Sequence, residues 1–247
     1  MEFHPGKCQY LKITNKKKPF HSTYKIHNTP ISETDSAKYL GVVIDTKLKW
    51  KPHFSEITKK CNSTLSFIKR NLPKVPHHIK SNCYKTLIRP KCEYASAVWD
   101  PHHHTHIQNL EKIQKRAARY VTDNYTMENG NTKLNLETLG WDTLEERRLK
   151  TKLITFQKAR LKFIDIPTEH LALKNRQTRR GGDGPVYERE FSKIDCHIHS
   201  FYPSASRLWN LLPADTRQTV DISKFSNSIK KTSLTNLKNS CKYNKNF

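Results

Sequence analysis

The excess of positive charge constrains this chain more than any other feature of its sequence. Among 247 residues, 45 are Lys or Arg and 22 are Asp or Glu, which gives a net charge of +23 at neutral pH. The surplus is spread along the chain and is not confined to a tail. Because so much like charge opposes compaction unless a polyanion lies nearby, the composition predicts a folded body that binds nucleic acid. A generic basic surface, or a ribosome-associated protein, is the alternative explanation.

Hydropathy and cysteine usage narrow the class of protein. Mean hydropathy is −0.81, and the longest apolar run, at about residues 39–44, is far shorter than the roughly 20 residues of a membrane helix. The first residues do not resemble a signal sequence, and the six cysteines form no C-x-x-C pair. We therefore expect reduced cysteines and an intracellular protein of the nucleus and cytoplasm, with neither a membrane nor a small-molecule partner.

The first 45 residues have the alternation of apolar and polar residues that is typical of strands. Residues 8–14, 23–26 and 38–44 are each predicted to form one strand of an antiparallel patch. Three strands leave one face of a sheet without a partner. The N-terminal region therefore resembles the trailing edge of a larger sheet.

From about Lys51 the apolar residues recur at helical spacing, and four helices are predicted to bury one another in a bundle. They cover residues 51–72, 76–98, 105–122 and 142–163. The second is expected to be kinked by Pro90, and Asp142 with Glu145 resembles a capping box at the start of the fourth. The apolar positions of the second helix are Ile79, Cys83, Leu87, Tyr94 and Val98.

The helical spacing of apolar residues ends after the fourth helix. Residues 176–184 contain no apolar residue and are predicted to be an exposed loop. Short helices are expected at 204–212 and 222–231, followed by a disordered tail from Lys238. The fold class is thus α+β and mostly α, with four predicted regions. These are 1–50 with strands, 51–164 with the helical bundle, 165–200 as a loop or linker, and 201–247 with short helices and the tail.

Two groups of histidines are candidate metal ligands. His102, His103, His104 and His106 lie at the start of a predicted helix, with no acidic or cysteine partner at ligand spacing nearby. Cys196-x-x-His199 is half of a zinc site. Both are interpreted as solvated segments, and no metal site is predicted. An enzyme that uses these histidines as metal ligands is the third hypothesis for the function.

Motifs of self-contained catalysis are missing from the sequence. It contains no phosphate-binding glycine loop of the P-loop type, no G-x-S-x-G and no H-E-x-x-H. Its aspartates are isolated, without a D-D or D-x-D pair. Because a polymerase or nuclease site needs clustered carboxylates for two cations, these 247 residues are not expected to hold one.

Basic residues on two predicted helices are the candidate nucleic-acid-binding residues. They are Lys112, Lys115, Arg116 and Arg119 on the third helix, and Arg147, Arg148, Lys150 and Lys152 on the fourth. The third-helix group recurs at intervals of three and four residues, opposite the apolar positions. Such a stripe can follow a phosphate backbone, and each phosphate it neutralises releases counterions. The alternative is an ordinary solvated helix face.

The order of several sequence blocks carries a family resemblance. The blocks are KYLGVVID (38–45), WKPH (50–53), YASAVWDP (94–101), LEKIQKRAAR (110–119), LGWDTLEERR (139–148) and WNLLP (209–213). Together they resemble the end of the palm and the thumb of non-LTR retrotransposon reverse transcriptases of the jockey and CR1 type. The resemblance covers about residues 1–230.

The resemblance implies RNA-templated DNA synthesis primed from nicked target DNA, with a template–primer of RNA and DNA as the partner. Lys7 matches the lysine of the palm's motif D, and Tyr39, Leu40 and Gly41 match the region that grips the primer end. The catalytic aspartates of the family precede the block at residues 5–8. Mg²⁺ would belong to that part, and no cofactor is expected on this chain.

The resemblance therefore predicts the C-terminal piece of such a polymerase, from a truncated element or a partial gene model. We expect it to be inactive by itself, while contributing primer-grip and template–primer contacts. The alternative is a freestanding basic module that binds nucleic acid without enzymatic activity.

Overall fold

A computed structural model describes residues 4–20, 22–126, 131–169, 171–174 and 184–243. The chain divides into two compact units, residues 1–60 and residues 61–247, which are described separately. Of the predicted loop at 176–184, all but Gly184 lies outside the described residues. No helix formed by the described residues has both the length and the apolar composition that crossing a bilayer requires.

The chain is mostly helical with few short strands, so the predicted α+β class with a majority of helix is confirmed. The strands are β1 (Gln9–Leu11), β2 (Lys25–Ile26), β3 (Thr29–Pro30), β4 (Ser32–Thr34), β5 (Ser36–Tyr39) and β6 (Val42–Asp45). The helices are α1 (Lys51–Asn71), α2 (His77–Cys83), α3 (Arg89–Glu93), α4 (Ser96–Trp99), α5 (His104–Thr122), α6 (Asn131–Thr138), α7 (Leu144–Arg160), α8 (Asp195–Ile198), α9 (Phe201–Trp209), α10 (Ala214–Gln218), α11 (Ile222–Lys231) and α12 (Leu234–Tyr243).

The strands of the first unit form three separate two-stranded ladders. Strands β2 and β3 pair antiparallel, as do β5 and β6, whereas β1 and β4 pair parallel. The prediction of one antiparallel patch of three strands was therefore wrong. Strands of two to four residues leave little length for further pairing, so the described part of this unit contains no larger sheet.

The apolar run at residues 38–44 is a hairpin, although its sequence predicted a single strand. Tyr39 pairs with Val42 across a two-residue turn, Leu40–Gly41, whose φ angles are 44° and 83°. A two-residue turn with positive φ at both positions matches the twist of antiparallel strands, and glycine accepts this conformation without strain. The run of β-branched residues after Gly41 concealed this turn signal.

Asp45 orders the connection from β6 to α1. Its Oδ1 accepts hydrogen bonds from the backbone N–H groups of Lys47 (3.0 Å) and Lys49 (3.1 Å). Its Oδ2 accepts one from the N–H of Trp50, at 2.7 Å. Three backbone donors on one carboxylate fix the loop, which holds Leu48 and Trp50 at positive φ.

The predicted second helix is divided into three short helices. A π-helical turn at Tyr84–Ile88 separates α2 from α3, and Ala95, with φ of 52°, separates α3 from α4. Pro90 lies directly after the first residue of α3. Proline cannot donate to the carbonyl of residue 86, and the wider turn ahead of it accommodates that loss.

The buried side of this segment differs from the predicted one. Most of the predicted apolar positions are exposed: Ile79, Leu87, Tyr94 and Val98. The buried side chains are Tyr84, Ile88, Cys92 and Trp99. The buried positions, Lys80 included, recur every four residues from 80 to 92, so the inward side lies one position after the predicted one both before and within the wide turn. The charged Lys80 on that side concealed it in the sequence.

Helix α5 agrees with its sequence pattern. Its predicted inward positions, Ile107, Leu110, Ile113, Ala117 and Val121, are all buried. Tyr120 is also buried, and its hydroxyl donates a hydrogen bond to the carbonyl of Leu72 at the end of α1, at 2.6 Å. The apolar stripe thus fixes α5 in the core and leaves its basic side outward.

Helix α7 starts one residue later than the capping box predicted. Thr143 is the N-cap, and its Oγ1 accepts the N–H of Glu146 at 3.1 Å. The carboxylate of Glu146 instead accepts the backbone N–H groups of Leu234 and Thr235, at 2.8 and 2.9 Å. Glu146 therefore caps α12 and joins the two helices.

The C-terminal helices share one apolar core with α7. Phe156 of α7 lies 5.5 Å from Trp209 of α9, measured between ring centroids, and Trp209 lies 5.5 Å from Phe225 of α11. The core also contains Leu149, Leu153, Tyr187, Ala205, Leu208, Leu212, Ile229 and Leu234. The short helices predicted at 204–212 and 222–231 are thus integral parts of this unit.

Two details of the predicted C-terminal region differ from the structure. Tyr187, from the predicted loop or linker, is buried against Phe156. Lys238, the predicted start of a disordered tail, lies inside α12, which continues to Tyr243. Because Glu146 caps this helix and Leu234 lies in the core, the segment is ordered in spite of its polar composition.

Candidate nucleic-acid interface

Five cations from α1 and α5 lie on one surface, which we call the cationic face. Its members are Lys69, Lys112, Lys115, Arg116 and Arg119. Lys112, Lys115 and Arg116 are exposed, while Lys69 and Arg119 are partly buried. Because α5 turns its apolar stripe into the core, its predicted basic stripe is on the surface.

Contacts between α1 and α5 hold the cationic face together. The Nη1 of Arg116 donates to the Oδ1 of Asn62 on α1, at 3.0 Å. Burial lowers the pKa of Lys69, and the positive charges of Arg116 and Arg119 lower it further. These three cations are therefore close enough to repel one another, which an approaching anion would relieve.

No carboxylate among the described residues pairs with the cationic face. Among the salt bridges within the described residues, none involves any of its five cations. Glu111, the acid on the same helix, is turned inward, and its Oε1 accepts the N–H of Glu145 at 2.7 Å. Burial raises the pKa of Glu111, so the nearest acid in the sequence is not available to neutralise the face.

An exposed aromatic ring borders the cationic face. The Nζ of Lys69 lies 5.8 Å from the ring centroid of Tyr125 and 5.9 Å from that of Tyr120. Tyr125 is 54% exposed, whereas Tyr120 is buried. Exposed aromatic rings beside cations are typical of surfaces on which nucleotide bases stack. The basic stripe of α5 gave no sign of this ring, because Tyr125 lies beyond the end of the helix.

An ion pair between the buried Lys80 and the exposed Asp123, at the end of α5, was also missed. Lys80 is buried, and its Nζ lies 2.7 Å and 2.8 Å from the two carboxylate oxygens of Asp123. The same Nζ lies 5.0 Å from the ring centroid of Tyr120. The pair ties α2 to the residue that ends α5, so it fixes the position of the helix that carries the cationic face.

Arg148 and Lys152 of α7 lie in the interior. The Nε of Arg148 lies 3.0 Å from Oδ1 of Asp100, and the Nζ of Lys152 lies 2.7 Å from Oδ2. Lys152 also contacts the hydroxyl of Ser204 at 3.1 Å. Burial opposes the ionisation of Asp100, but attraction by Lys152 and Arg148 outweighs it and lowers the pKa. These two cations are therefore withdrawn from any phosphate at the surface.

The other two predicted cations of α7, Arg147 and Lys150, also have partners within the second unit. Arg147 forms a two-pronged ion pair with the carboxylate of Glu93. The Nζ of Lys150 donates to Asp142 and to the carbonyl of Lys230, each at 2.9 Å. The structure therefore does not join the α7 cations to the basic group on α5, although sequence analysis placed both on phosphate-binding surfaces.

The predicted primer-contacting residues lie in the first unit. Lys7 is exposed at the end of a short 3-10 turn. Tyr39, Leu40 and Gly41 form the exposed tip of the β5–β6 hairpin, where Tyr39 is 67% and Leu40 is 73% exposed. These side chains are thus accessible to a partner of that unit.

Histidines from the two groups in the sequence meet in the structure. The Nε2 of His102 lies 3.1 Å from one oxygen of Asp195, and the Nε2 of His199 lies 3.5 Å from the other. The two rings stack at 3.9 Å with an angle of 4°. Burial lowers the pKa of His199 to about 4, helped by His102 and opposed by Asp195. Sequence analysis treated these segments separately, because nothing local links residues 93 positions apart.

Comparisons with known proteins relate the chain to one class. No family model and no solved structure matches it. The probable RNA-directed DNA polymerase from transposon X-element of Drosophila melanogaster is 26% identical over 100 residues, which is 39% of this chain and 11% of that protein. The probable RNA-directed DNA polymerase from transposon BS of the same organism is 24% identical over 108 residues, or 42% of this chain and 12% of that protein.

The chain is related to transposon RNA-directed DNA polymerases. It matches only about a ninth of the length of these two curated relatives, and the identity is low. This coarse relationship agrees with the resemblance found in the sequence blocks.

We predict that Asp100→Asn destabilises the second unit strongly, because it leaves Arg148 and Lys152 buried without a counter-charge. The free energy of unfolding should fall by about 3–5 kcal/mol, measured by urea denaturation at neutral pH. The pKa of Asp100 is lowered in the folded state, so its stabilisation is present above the ordinary carboxyl pKa and disappears as the pH falls. On acidification, the variant should therefore lose less stability than the wild type does.

The matched control is Glu137→Gln, which removes a carboxylate from an exposed pair with Lys133. Its effect should stay below about 0.5 kcal/mol. Equal losses of stability in the two variants would contradict the assignment of Asp100 as the internal counter-charge.

Proposed function

We propose that this chain is the C-terminal, nucleic-acid-binding part of a non-LTR retrotransposon reverse transcriptase of the jockey or CR1 type. Residues 1–50 would be the end of the palm and residues 51–164 the thumb. The similarity to two transposon polymerases supports the class of protein. The cationic face supports the role in binding nucleic acid, and it is the single observation on which the proposal depends.

The dimensions of the cationic face suit a nucleic-acid backbone. Positions 112 to 119 of α5 extend over about 10 Å at 1.5 Å per residue. A strand of duplex carries one phosphate per roughly 3.4 Å of axis, so this length faces about three phosphates. Lys69 widens the face toward Tyr125, whose exposed ring can stack on a base or sugar. Such contacts hold the backbone without reading the sequence.

The primer-grip role belongs to the first unit in this proposal. Tyr39 and Leu40 project from the hairpin tip at the positions that resemble the family's primer-gripping block. Lys7 would be the motif D lysine. Arg147 and Arg148 are left out of the proposed interface, because internal carboxylates already hold them.

The residues described do not fit the two Mg²⁺ ions of a polymerase. Such ions require clustered carboxylate oxygens. Within the part of the chain that the structure describes, the one group of three possible metal ligands has two imidazoles and one carboxylate. In this proposal, DNA synthesis would belong to the aspartates that the resemblance places ahead of the block at residues 5–8.

A freestanding basic module is the second candidate function. It would bind nucleic acid through the same cationic face, and the lack of paired carboxylates in the sequence is equally compatible with it. The similarity to two transposon polymerases favours the first proposal. In either case the partner is RNA or DNA, and the protein acts where nucleic acid is found, in the nucleus and cytoplasm.

We predict that changing Lys112, Lys115, Arg116 and Arg119 together to Gln weakens binding to an RNA–DNA hybrid. The slope of log K against log salt should become shallower by about 0.9 for each phosphate that the variant no longer neutralises. Fluorescence anisotropy with a labelled hybrid at several salt concentrations measures both quantities. Hybrids of unrelated sequence should respond alike, because the protein binds the backbone and not the base edges.

The control variant changes four exposed lysines elsewhere, Lys16, Lys17, Lys158 and Lys224, to Gln. It removes the same net charge from other surfaces, so it tests general electrostatic attraction. Its salt slope should remain near that of the wild type. If the two variants show the same loss of affinity and the same decrease in the salt dependence of binding, the binding is diffuse and the cationic face is not the interface.

We also predict that the purified chain does not extend a primer on an RNA template, with Mg²⁺ and all four deoxynucleotides present. Without a carboxylate cluster, the two cations have no protein ligands. The hybrid must be shown to bind under the same conditions, so that a negative result refers to chemistry and not to binding. Extension that stops when a chelator is added would refute the prediction.

A further inference from the structure

Two segments far apart in sequence bring three potential metal ligands together. His102 follows Pro101 at the approach to α5, whereas Asp195 begins α8 and His199 follows its last residue. One ligand atom from each lies within 4.8 Å of the other two. We call these residues the His–Asp cluster. The two histidines come from the histidine run and from the Cys196-x-x-His199 stretch, and Asp195 directly precedes that stretch.

The separations already approach those of a coordinated ion. At metal–ligand distances of about 2.0–2.1 Å, two ligands of a tetrahedral zinc ion lie roughly 3.3 Å apart. The carboxylate of Asp195 lies 3.1 Å from Nε2 of His102 and 3.5 Å from Nε2 of His199. The two rings are stacked and parallel. A modest tilt of the rings would direct both nitrogens toward one ion beside the carboxylate.

The cluster is accessible to a metal ion. The side chains of His102 and His199 are 25% and 35% exposed. Both histidines line a cavity of about 630 Å³ that also contacts Lys152, Ser204 and Arg207. An ion held by the cluster would therefore have one side facing the cavity, where a water molecule can complete its coordination.

The ligand types and the surrounding charges select the metal. Two imidazoles and one carboxylate are typical zinc ligands, whereas Mg²⁺ and Ca²⁺ require more oxygens than this cluster offers. Lys152 and Arg207 lie near His199 and oppose any cation. Electrostatic attraction alone would therefore contribute little to the binding of a divalent ion. Binding must depend on coordinate bonds from the imidazole nitrogens to a transition metal.

We propose that His102, Asp195 and His199 bind one Zn²⁺ ion, with a water molecule at the fourth position. The ion would clip the segment that precedes α5 to the segment that precedes α9. This inference does not depend on the proposed polymerase relationship or on the cationic face. It revises the expectation that this chain has no metal site.

The test is a zinc titration of the full chain after treatment with a chelator, in competition with a chromophoric chelator. We expect one Zn²⁺ per chain, and an affinity at least tenfold lower in each of His102→Gln and His199→Gln. Asp195→Asn, which keeps the shape of the side chain, should also weaken binding. Circular dichroism establishes that each variant is folded before it is compared.

The matched controls are His104→Gln and His197→Gln, which remove neighbouring histidines outside the cluster. Both should bind Zn²⁺ like the wild type. Unchanged affinity in His102→Gln and His199→Gln would overturn the proposal, and so would the absence of stoichiometric binding to the folded wild-type chain. Equal loss of affinity in the control variants would overturn it as well, because the ion would then be bound diffusely by histidines.

Cobalt substitution distinguishes this cluster from a cysteine site. Cys196 lies beside Asp195 in the sequence and is partly exposed. Co²⁺ bound to the cluster should give visible bands of a four-coordinate ion without thiolate charge-transfer absorption, and Cys196→Ser should leave the spectrum unchanged. Thiolate absorption that disappears in Cys196→Ser would overturn the proposed ligand set.

Discussion

The buried carboxylate of Asp100 is the interaction on which the second unit depends. It holds Arg148 and Lys152 of α7 in the interior, and α7 contacts α3, α4, α5, α9, α11 and α12. A helix this basic could not lie at the centre of a core unless its cations were neutralised there. This carboxylate thereby allows α7 to organise the helices around it.

The distribution of acids explains where the excess charge remains. Carboxylates are half as numerous as cations in this chain, and many of them are used inside the second unit or at helix ends. Glu93 and Asp142 pair with α7, Glu146 caps α12, and Glu111 accepts a backbone N–H. The cations of α5 have no such partners among the described salt bridges, so they remain available to a polyanion.

The sequence predicted α5 well because one side of that helix faces solvent. Its apolar and basic positions separate cleanly, and both the core face and the cationic face follow from helical spacing. The sequence did not predict the role of the α7 cations, because this helix is packed on several sides. In a sequence, a buried cation that is paired with a carboxylate cannot be told from a solvated one. The sequence also failed at residues 77–93, where the charged Lys80 lies on the buried side, and at the Leu40–Gly41 turn inside an apolar run. The His–Asp cluster depends on tertiary contact, so local spacing could not reveal it.

Lysine footprinting tests the central claim most directly. The folded chain is acetylated with and without a saturating RNA–DNA hybrid, and modification is measured at each lysine by mass spectrometry. If the cationic face holds the backbone, the hybrid should protect Lys69, Lys112 and Lys115 while leaving exposed Lys158 as reactive as before. Equal protection of all four lysines, or protection of Lys158 alone, would contradict the assignment of this face as the nucleic-acid interface.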